Sequence, residues 1–385
     1  ETAEEGRVDW ARRGLWIAAV TGFATFALEV AWFRSLRSAF QSTTDTFAII
    51  LAAVLIALAI GGRLATWIHK RGYRMPLFLA LGGVGILLAT PAIERFDLIE
   101  GLGTYWEILG KWALVSFVAM APPMLLIGTA LPWLLNHGTG PRQWGRLYAV
   151  NTAGAIAGSL VSAWVLLPTL GFARTSWLVG ILVVLTGLWA MGAARRYWVV
   201  ALAAGALLVS VVFESGIGHD RIQLRNMDES YEILDFDEGP DVTASVVAFE
   251  SGFRGLYIDG FRAASGISTS SYMAWMGHLP AMLHPEPKQG LVICFGTGQT
   301  ANALRKENIE GMDVVDLSPA VIGMASHFTV YNEGVLEDPR VTTIVMDGRA
   351  WLRRTDRRYD VITLEPMPPN FAGVNALYSE EFYRL

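Results

Sequence analysis

Apolar and polar positions divide the chain into two unlike parts. Before residue 215 the apolar residues come in long blocks: roughly Gly14–Phe33, Phe47–Ile68, Pro76–Ile93, Ile108–Leu135, Leu147–Leu167, Trp177–Ala194 and Tyr197–Phe213. Most reach the length of about 20 residues that a helix needs to cross a bilayer. The pattern therefore predicts a multi-pass α-helical membrane domain of about seven helices over residues 1–215. The fourth block contains Pro122–Pro123 and then Pro132, each without the amide proton a helix interior uses, so it is expected to kink or break. Beyond the polar stretch Glu214–Asp220 the period changes. Tyr231–Phe236, Thr243–Glu250 and Arg254–Ile258 read as short strands separated by Gly239–Pro240, Ser251–Gly252 and Asp259–Gly260, a small antiparallel β domain over 221–265. Ile267–Leu283 reads as a helix. Short apolar strands then alternate with helical stretches to the end, giving an α/β domain over 266–385.

Composition agrees with the membrane reading. Hydrophobic residues make up 53% of the 385 residues and the mean hydropathy is +0.39, more apolar than an ordinary soluble enzyme. The formal net charge is -5, and no basic groove with interleaved aromatics is visible, which argues against nucleic acid as a partner. The single cysteine, Cys294, falls in an expected buried strand and reads as a core residue. No cleavable signal peptide is evident, and the polar ETAEEGRVDW start, without an initiator Met, reads as following a missing segment. Gly154 and Gly158 in GAIAG, and Gly82, Gly83 and Gly85, suit close helix packing in lipid. Asn151 is expected to bond across to a neighbouring helix. Glu29, in FALEVAWF, is a costly carboxylate for a lipid environment. Pairing with Arg34 and a role in solute handling are both open. Basic residues at His69–Arg74, Arg142, Arg146 and Arg195–Arg196, against Glu94, Asp97, Glu100 and Glu107, place the N-terminus in the cytoplasm of a cell whose inner (plasma) membrane holds the chain. Seven crossings then put residues beyond 215 outside, whereas cytosolic nucleosides are available only inside.

The chemistry concentrates in GLVICFGTGQTANAL, residues 290–304. Leu291–Phe295 fits a buried strand, Gly296, Thr297 and Gly298 a tight turn, and Gln299–Leu304 a helix start. That sequence of elements cradles a nucleotide or nucleoside, because glycines let backbone approach a ligand where a Cβ would clash. Met312–Asp316 is a second strand ending in a carboxylate about 20 residues past the turn, where an acid can accept both ribose hydroxyls. Val341–Met346 is a third, followed by Asp347 and Gly348, and Tyr359–Leu364 a fourth, ending at Glu365. Three acids thus lie at strand ends where doubly wound sheets bind ligands. Each is also a plausible helix cap. Tyr272 and His278 lie on different faces of the 267–283 helix. Tyr272 is a candidate ligand contact and His278 a packing residue.

Several stretches carry a resemblance to a known family. GFATFALEVAWFR at 22–34, IGTALPWL at 127–134, RLYAVNTAGAIAGSLVSAWVLLPTLG at 146–171, GHLPAMLHPEPK at 277–288, DVVDLSPAVI at 313–322, RVTTIVMDGRAWL at 340–352, YDVITLEPMPP at 359–369 and LYSEEFY at 377–383 resemble bacterial membrane proteins in which a multi-helix region is fused to a polyamine aminopropyltransferase (spermidine synthase) domain. The resemblance implies a small β region followed by a methyltransferase-like α/β Rossmann domain. It also implies transfer of an aminopropyl group from decarboxylated S-adenosylmethionine to an amine. Carried residue by residue, Gly296 and Gly298 match the glycine loop, with Thr297 between them as a further cofactor-binding candidate, Asp316 the ribose-binding acid, Asp347 and Gly348 the pair beside adenine, and Glu365 the acid that orients and deprotonates the amine. Tyr272 would wall the acceptor pocket. Departures are Thr297 in place of an acid, Ala263 in place of glutamine, Met273 and Ala274 in place of histidine and glutamate, and Glu365–Pro366–Met367–Pro368–Pro369 in place of an Asp-Ser-x-Asp-Pro run. A full sheet of this kind needs further strands at one edge, supplied by a longer sequence or by another chain.

Three functions remain open on sequence. One is a membrane-bound transferase using S-adenosylmethionine or its decarboxylated form as co-substrate, with no tightly bound cofactor or metal and a small amine as acceptor. The second is a catalytically degenerate scaffold or accessory subunit of a larger membrane complex or homo-oligomer. The third is a transporter of polyamines or a related solute.

Overall fold

A computed structural model of the chain describes residues 2–40, 42–71, 74–93, 104–138, 140–191, 197–214, 230–239, 241–266, 271–371 and 373–385. The chain divides into two compact units, Glu1–Phe40 with Asp45–Ile222, and Gln41–Thr44 with Gln223–Leu385. The polar connections around Glu94, Asp97, Glu100, Arg195–Arg196 and His219 lie outside the described residues.

The first unit is helical: α1 Thr2–Phe40, α2 Thr44–Lys70, α3 Met75–Ile93, α4 Tyr105–Ile127, α5 Ala130–Asn136, α6 Pro141–Val161, a π-helical turn Ser162–Leu166, α7 Leu167–Met191 and α8 Tyr197–Glu214. The expected break in the fourth apolar block falls at Gly128–Thr129, one turn beyond Pro122–Pro123, which remain helical. Among the described residues five stretches are long and apolar enough to cross a membrane, where the sequence pattern suggests about seven: Arg12–Arg37, Thr44–Lys70, Met75–Ile93, Tyr105–Asn136 and Pro141–Met191. The last holds two of the apolar blocks, because Gly171 (φ 73°, ψ 179°) breaks its helical path, and Tyr197–Phe213 is a shorter apolar helix. On α1, Arg34 is buried and Glu29 partly buried.

The tightest helix pair is α1 on α6. A Cβ on Gly154 would meet the Ala19 carbonyl, and one on Gly158 the Phe23 carbonyl. These glycines therefore let two backbones touch, as small residues do where lipid supplies no hydrophobic drive between helices. Polar side chains reinforce the contact. Asn151 Nδ2 donates to the Ala18 carbonyl at 2.9 Å and Ser162 Oγ to the Ala27 carbonyl at 3.0 Å. The partners advance together, Ala18, Ala19, Phe23, Ala27 against Asn151, Gly154, Gly158, Ser162, so the helices run parallel. A second close pair joins α3 to α7, where Gly83 faces Gly180 and Val184, and Gly187 faces Ala80.

The second unit contains two sheets. The first is an antiparallel meander of β1 Tyr231–Glu238, β2 Thr243–Phe249, β3 Arg254–Ile258 and β4 Phe261–Gly266, in that spatial order. Its fourth strand was not expected, because FRAASG has too little apolar content to show a period. Helix α9 follows, Ser271–Leu283; residues 267–270, where the sequence pattern starts it, lie outside the described residues. The second sheet is parallel, formed by β5 Gln289–Ile293, β6 Gly311–Asp316, β7 Val341–Val345 and β8 Val361–Leu364 in the order β7-β6-β5-β8. Its helices are α10 Gln299–Arg305, α11 Pro319–Gly323, α12 Thr329–Asn332, α13 Gly348–Arg354 and α14 Glu380–Tyr383. One apolar cluster joins both sheets, with Val246 and Leu256 of the meander packed with Val292, Leu304, Val314 and Phe328.

Two strands depart from the sequence pattern, β5 by a shift of two residues towards the N-terminus and β8 by a later start. β5 ends at Ile293, so Cys294 is not inside a strand as expected. It takes φ 68°, a left-handed conformation in which few side chains are found. β8 starts at Val361, and Tyr359 instead turns its hydroxyl to Asp313.

Replacing Gly158 with leucine forces the α1 and α6 backbones apart. The helical unit is expected to lose about 1–3 kcal/mol or more, measured as a lower unfolding midpoint in detergent, with Ala157→Leu at an exposed position of the same helix as the control.

Candidate functional site

The carboxyl ends of β5, β6, β7 and β8 bring together the residues singled out by the sequence. The glycine turn takes its shape from three left-handed residues at alternate positions, Cys294, Gly296 (φ 56°) and Gly298 (φ 82°). Gly298 has a second reason to lack a side chain, since a Cβ there would lie 2.5 Å from the Phe295 ring. Its amide donates to the Phe295 carbonyl at 2.9 Å, closing the turn. Thr297 is buried and its hydroxyl accepts from Gln299 Nε2 at 3.0 Å.

Asp316 is fastened to that turn. Its Oδ2 accepts the Phe295 amide at 2.7 Å and its Oδ1 the Ser318 amide at 2.9 Å. One carboxylate thus bridges the loop after β5 and the loop after β6. Each oxygen has two lone pairs, so acceptor capacity remains for ligand hydroxyls. Burial pushes the Asp316 carboxyl above its ordinary range. The Ser318, Phe295 and Leu317 amides pull it down, and the Asp241 charge adds to the rise.

Asp347 caps α13, its Oδ1 accepting the Ala350 amide at 2.7 Å. It is exposed, whereas the adjacent Gly348 is buried with a would-be Cβ against the Ile293 side chain. Gly348 therefore lets α13 sit directly on β5. Glu365 follows β8, its amide donating to the Ile293 carbonyl at 3.3 Å. Its side chain is partly buried and hydrogen-bonded by the Tyr272 hydroxyl. Burial raises its pKa above the usual carboxylate value and the Tyr272 bond opposes the rise. The Tyr272 phenol itself is pushed up to about 12, first by burial and then by Glu365.

Cys294 records how these groups converge. Its thiol is pushed up to about 12, by burial first and then by the charges of Asp316, Glu365 and Asp347 in that order. Cys294 follows β5, with the strands that lead to Asp316 and Glu365 on either side of it.

Among residues 269–385 this arrangement coincides with a recognised domain. Residues 269–385 match the Spermine/spermidine synthase domain. The chain is similar to polyamine aminopropyltransferases. One from Oceanobacillus iheyensis is 29% identical over 276 residues, covering 68% of this chain and 53% of that protein. One from Leptospira interrogans is 26% identical over 360 residues, covering 89% and 69%. A shorter match, to the Nitrosomonas europaea protein, is 37% identical over 133 residues, 34% of this chain and 41% of the relative. This chain spans about half the length, 53%, of the Oceanobacillus relative. Among solved structures, spermidine synthase from Thermotoga maritima aligns with 22% identity and a TM-score of 0.36, over 40% of this chain and 51% of that one.

The structure adds residues the sequence did not single out. Gln299 Nε2 donates to the Ser265 carbonyl at 2.7 Å and reaches Met273 Sδ at 3.5 Å, tying the glycine turn to β4 and α9. Asn332 Nδ2 donates to the Thr297 carbonyl at 3.0 Å. Asp313, buried within β6, accepts from the Tyr359 hydroxyl at 2.6 Å and from Arg357 Nη1 at 2.5 Å, and Trp351 Nε1 donates to Tyr359 at 2.9 Å. That network pins α13, and with it Asp347, to the sheet. Asp241 had no signal beyond being one more acid in a turn. His278 pairs with Glu307 through Nδ1 at 2.6 Å, a structural role. Among the described residues no group of three His, Cys, Asp or Glu side chains is arranged to hold a metal ion.

A thiol shifted from 9 to about 12 holds roughly a thousandfold less thiolate near neutral pH. Alkylation of Cys294 by iodoacetamide is therefore expected to be slower than that of a small free thiol by about that factor. Asp316→Asn should accelerate it by removing a negative charge, as read by mass spectrometry. An unchanged rate would show that the carboxylate does not act on the thiol.

Proposed function

We propose that this chain is a membrane-anchored aminopropyltransferase-like protein whose second unit binds the adenosyl group of S-adenosylmethionine or its decarboxylated form and alkylates an amine. The observation that carries the reading is that Asp316, Asp347 and Glu365 all follow neighbouring strands of one parallel sheet, at the same end as the glycine turn, with Asp316 anchored by an amide of that turn. The similarity of residues 269–385 to the Spermine/spermidine synthase domain supports it.

The roles follow from position. Asp316 accepts the ribose hydroxyls with its free lone pairs. The glycine turn supplies a surface without side chains against which the nucleoside lies, as in a methyltransferase-like Rossmann sheet. Asp347, already bonded to one amide, uses its second oxygen for the adenine amine. The reaction needs little more than alignment, because the sulfonium is already a leaving group. The neutral amine's lone pair attacks the carbon next to sulfur. A C–N bond forms, the C–S bond breaks, and its electron pair neutralises the sulfur. The proton lost from nitrogen passes to Glu365 and then to water. A carboxylate with a raised pKa suits that task better than an ordinary one. Tyr272 holds Glu365 in place.

Calorimetry of the full chain with methylthioadenosine, S-adenosylmethionine and its decarboxylated form tests the reading. Binding of at least one is expected, and Asp316→Asn should weaken it at least about tenfold, since an amide cannot accept from two hydroxyls while keeping both backbone donors. No binding by any of the three would overturn the proposal. Tyr272→Phe removes a donor that favours the ionised carboxylate, so the acidic limb of amine binding is expected to move to higher pH. A shift to lower pH would contradict the role of Tyr272.

A further inference from the structure

Helix α2 carries two arginines on the face it turns away from the other helices. Ile56, Ile60, Arg63, Trp67 and Arg71 follow one another at steps of three and four residues, so they share one side of the helix. All five are exposed. The opposite side, with Ala57, Gly61, Ala65 and Ile68, is buried, and a Cβ on Gly61 would lie 2.5 Å from the Leu125 carbonyl. Arg63 precedes the helix end at Lys70 by about 10 Å at the rise of an α-helix. It therefore lies inside Thr44–Lys70, a stretch long and apolar enough to cross a membrane. A guanidinium there faces lipid. Its charge is costly unless the side chain reaches up to the headgroups and meets an anion.

Two more helix ends meet α2 at the level of Lys70. The His69 and His137 rings touch edge to face at 4.6 Å, joining the end of α2 to the end of α5. Trp144 Nε1 donates to the Leu135 carbonyl at 3.1 Å, joining the start of α6 to α5. Arg142 and Arg146, one turn apart at that start, are exposed like Lys70 and Arg71. Carboxylates are missing from this end. The sequence has no Asp or Glu from Thr46 to Ile93 or from Ile108 to Phe213. No described acid pairs with Arg63, Lys70, Arg71, Arg142 or Arg146. The Arg71 guanidinium lies instead over the Trp67 ring, 5.5 Å from its centroid. Trp67, Trp144 and Tyr148 are all exposed here, as amphipathic rings are where a bilayer meets water. A free phosphate would answer the cations alone. A phospholipid answers the cations with its headgroup and Ile60 and Ile56 with an acyl chain.

We propose that this end of the helical unit binds an anionic phospholipid. Its phosphate sits between Arg63 and Arg71 with Lys70 beside them, its chain runs along Ile60 and Ile56, and Arg142 and Arg146 widen the cationic rim. The proposal rests on α2 crossing the bilayer and is independent of the alkyl-transfer reading.

The test uses the full chain in nonionic detergent micelles, titrated with dioleoylphosphatidylglycerol or dioleoylphosphatidylcholine and read by native mass spectrometry. The anionic lipid is expected to bind at least about fivefold more tightly, and each cation removed should cost about fivefold. Arg63→Gln with Arg71→Gln should abolish the preference, whereas Arg63→Lys with Arg71→Lys should keep it. The unfolding midpoint without added lipid reports whether each variant folds. On the unaltered chain, raising the salt should shrink the preference by screening. Glycerol 3-phosphate, a headgroup without tails, should neither be retained nor compete. Equal binding of the two lipids, a preference that survives the glutamine pair or high salt, or competition by glycerol 3-phosphate would each overturn the proposal. So would a doubled mass carrying no lipid, since a second copy of the chain would then occupy this face.

Discussion

The second unit depends on one carboxylate held between two loops. Asp316 accepts an amide from the turn after β5 and an amide from the turn after β6. The Cys294 amide adds a bond to the Val315 carbonyl at 2.9 Å beside it. The glycine turn has three left-handed residues within five positions, Cys294, Gly296 and Gly298, and such a backbone is held by its hydrogen bonds rather than by local preference. Gln299 and Asn332 add bonds to Ser265 and to the Thr297 carbonyl. The turn is thereby fixed from β4, α12 and β6 at once. A preorganised edge of this kind can receive a rigid ligand without first paying to order a loop.

The helical unit obeys a different constraint, with the same reliance on missing side chains. In α1 and α6 the close approach is backbone to backbone, at Gly154 and Gly158 against Ala19 and Phe23. Asn151 and Ser162 sit one turn before and one turn after those glycines and donate to carbonyls of α1. The sequence marks Gly154 and Gly158 as packing positions and Asn151 as a bond to a neighbour, whereas Ser162 and the identity of α1 as the partner come from the fold. The break at Gly171 was not readable, because a glycine inside an apolar helix carries no sign of its φ until the packing sets it. Pro122–Pro123 misled in the opposite sense. They sit inside α4, and the chain breaks only after them.

In the second unit, legibility follows hydrophobic contrast. β5, β6 and β7 are short apolar runs ending at a glycine turn, an aspartate and an Asp-Gly, and they lie within a residue or two of where the sequence puts them. β4 has almost no apolar content, and it is a strand because β3 pairs with it through Arg254–Ile258. The acids at strand ends were readable because a carboxylate after a buried strand has few structural excuses. The supporting groups were not. Asp313, Arg357 and Tyr359 meet only through the fold, 44 and 46 residues apart in the chain. Cys294 was read as core because it continues an apolar run. The run ends one residue earlier, since Cys294 already has the left-handed backbone that starts the turn.

The electrostatics of Asp316 link these observations to binding. Backbone amides from Ser318, Phe295 and Leu317 would ordinarily hold a carboxylate below its usual range, yet burial and Asp241 together raise it. With the native pKa above the unfolded value, the folded state binds the proton more tightly. The contribution of Asp316 to stability is therefore fully present in acid and is given up as the pH rises from the ordinary carboxylate value through the raised one. Once ionised, the carboxylate has lost hydration that the backbone amides replace only in part. Ligand hydroxyls donated to the remaining lone pairs would make up the difference, and they would do so most where the carboxylate is ionised. Its bonds run to one amide of the glycine turn and to the Ser318 amide, rather than into the first turn of a helix. α11 shows the contrast, since its start at Ser318 has no side-chain cap at all.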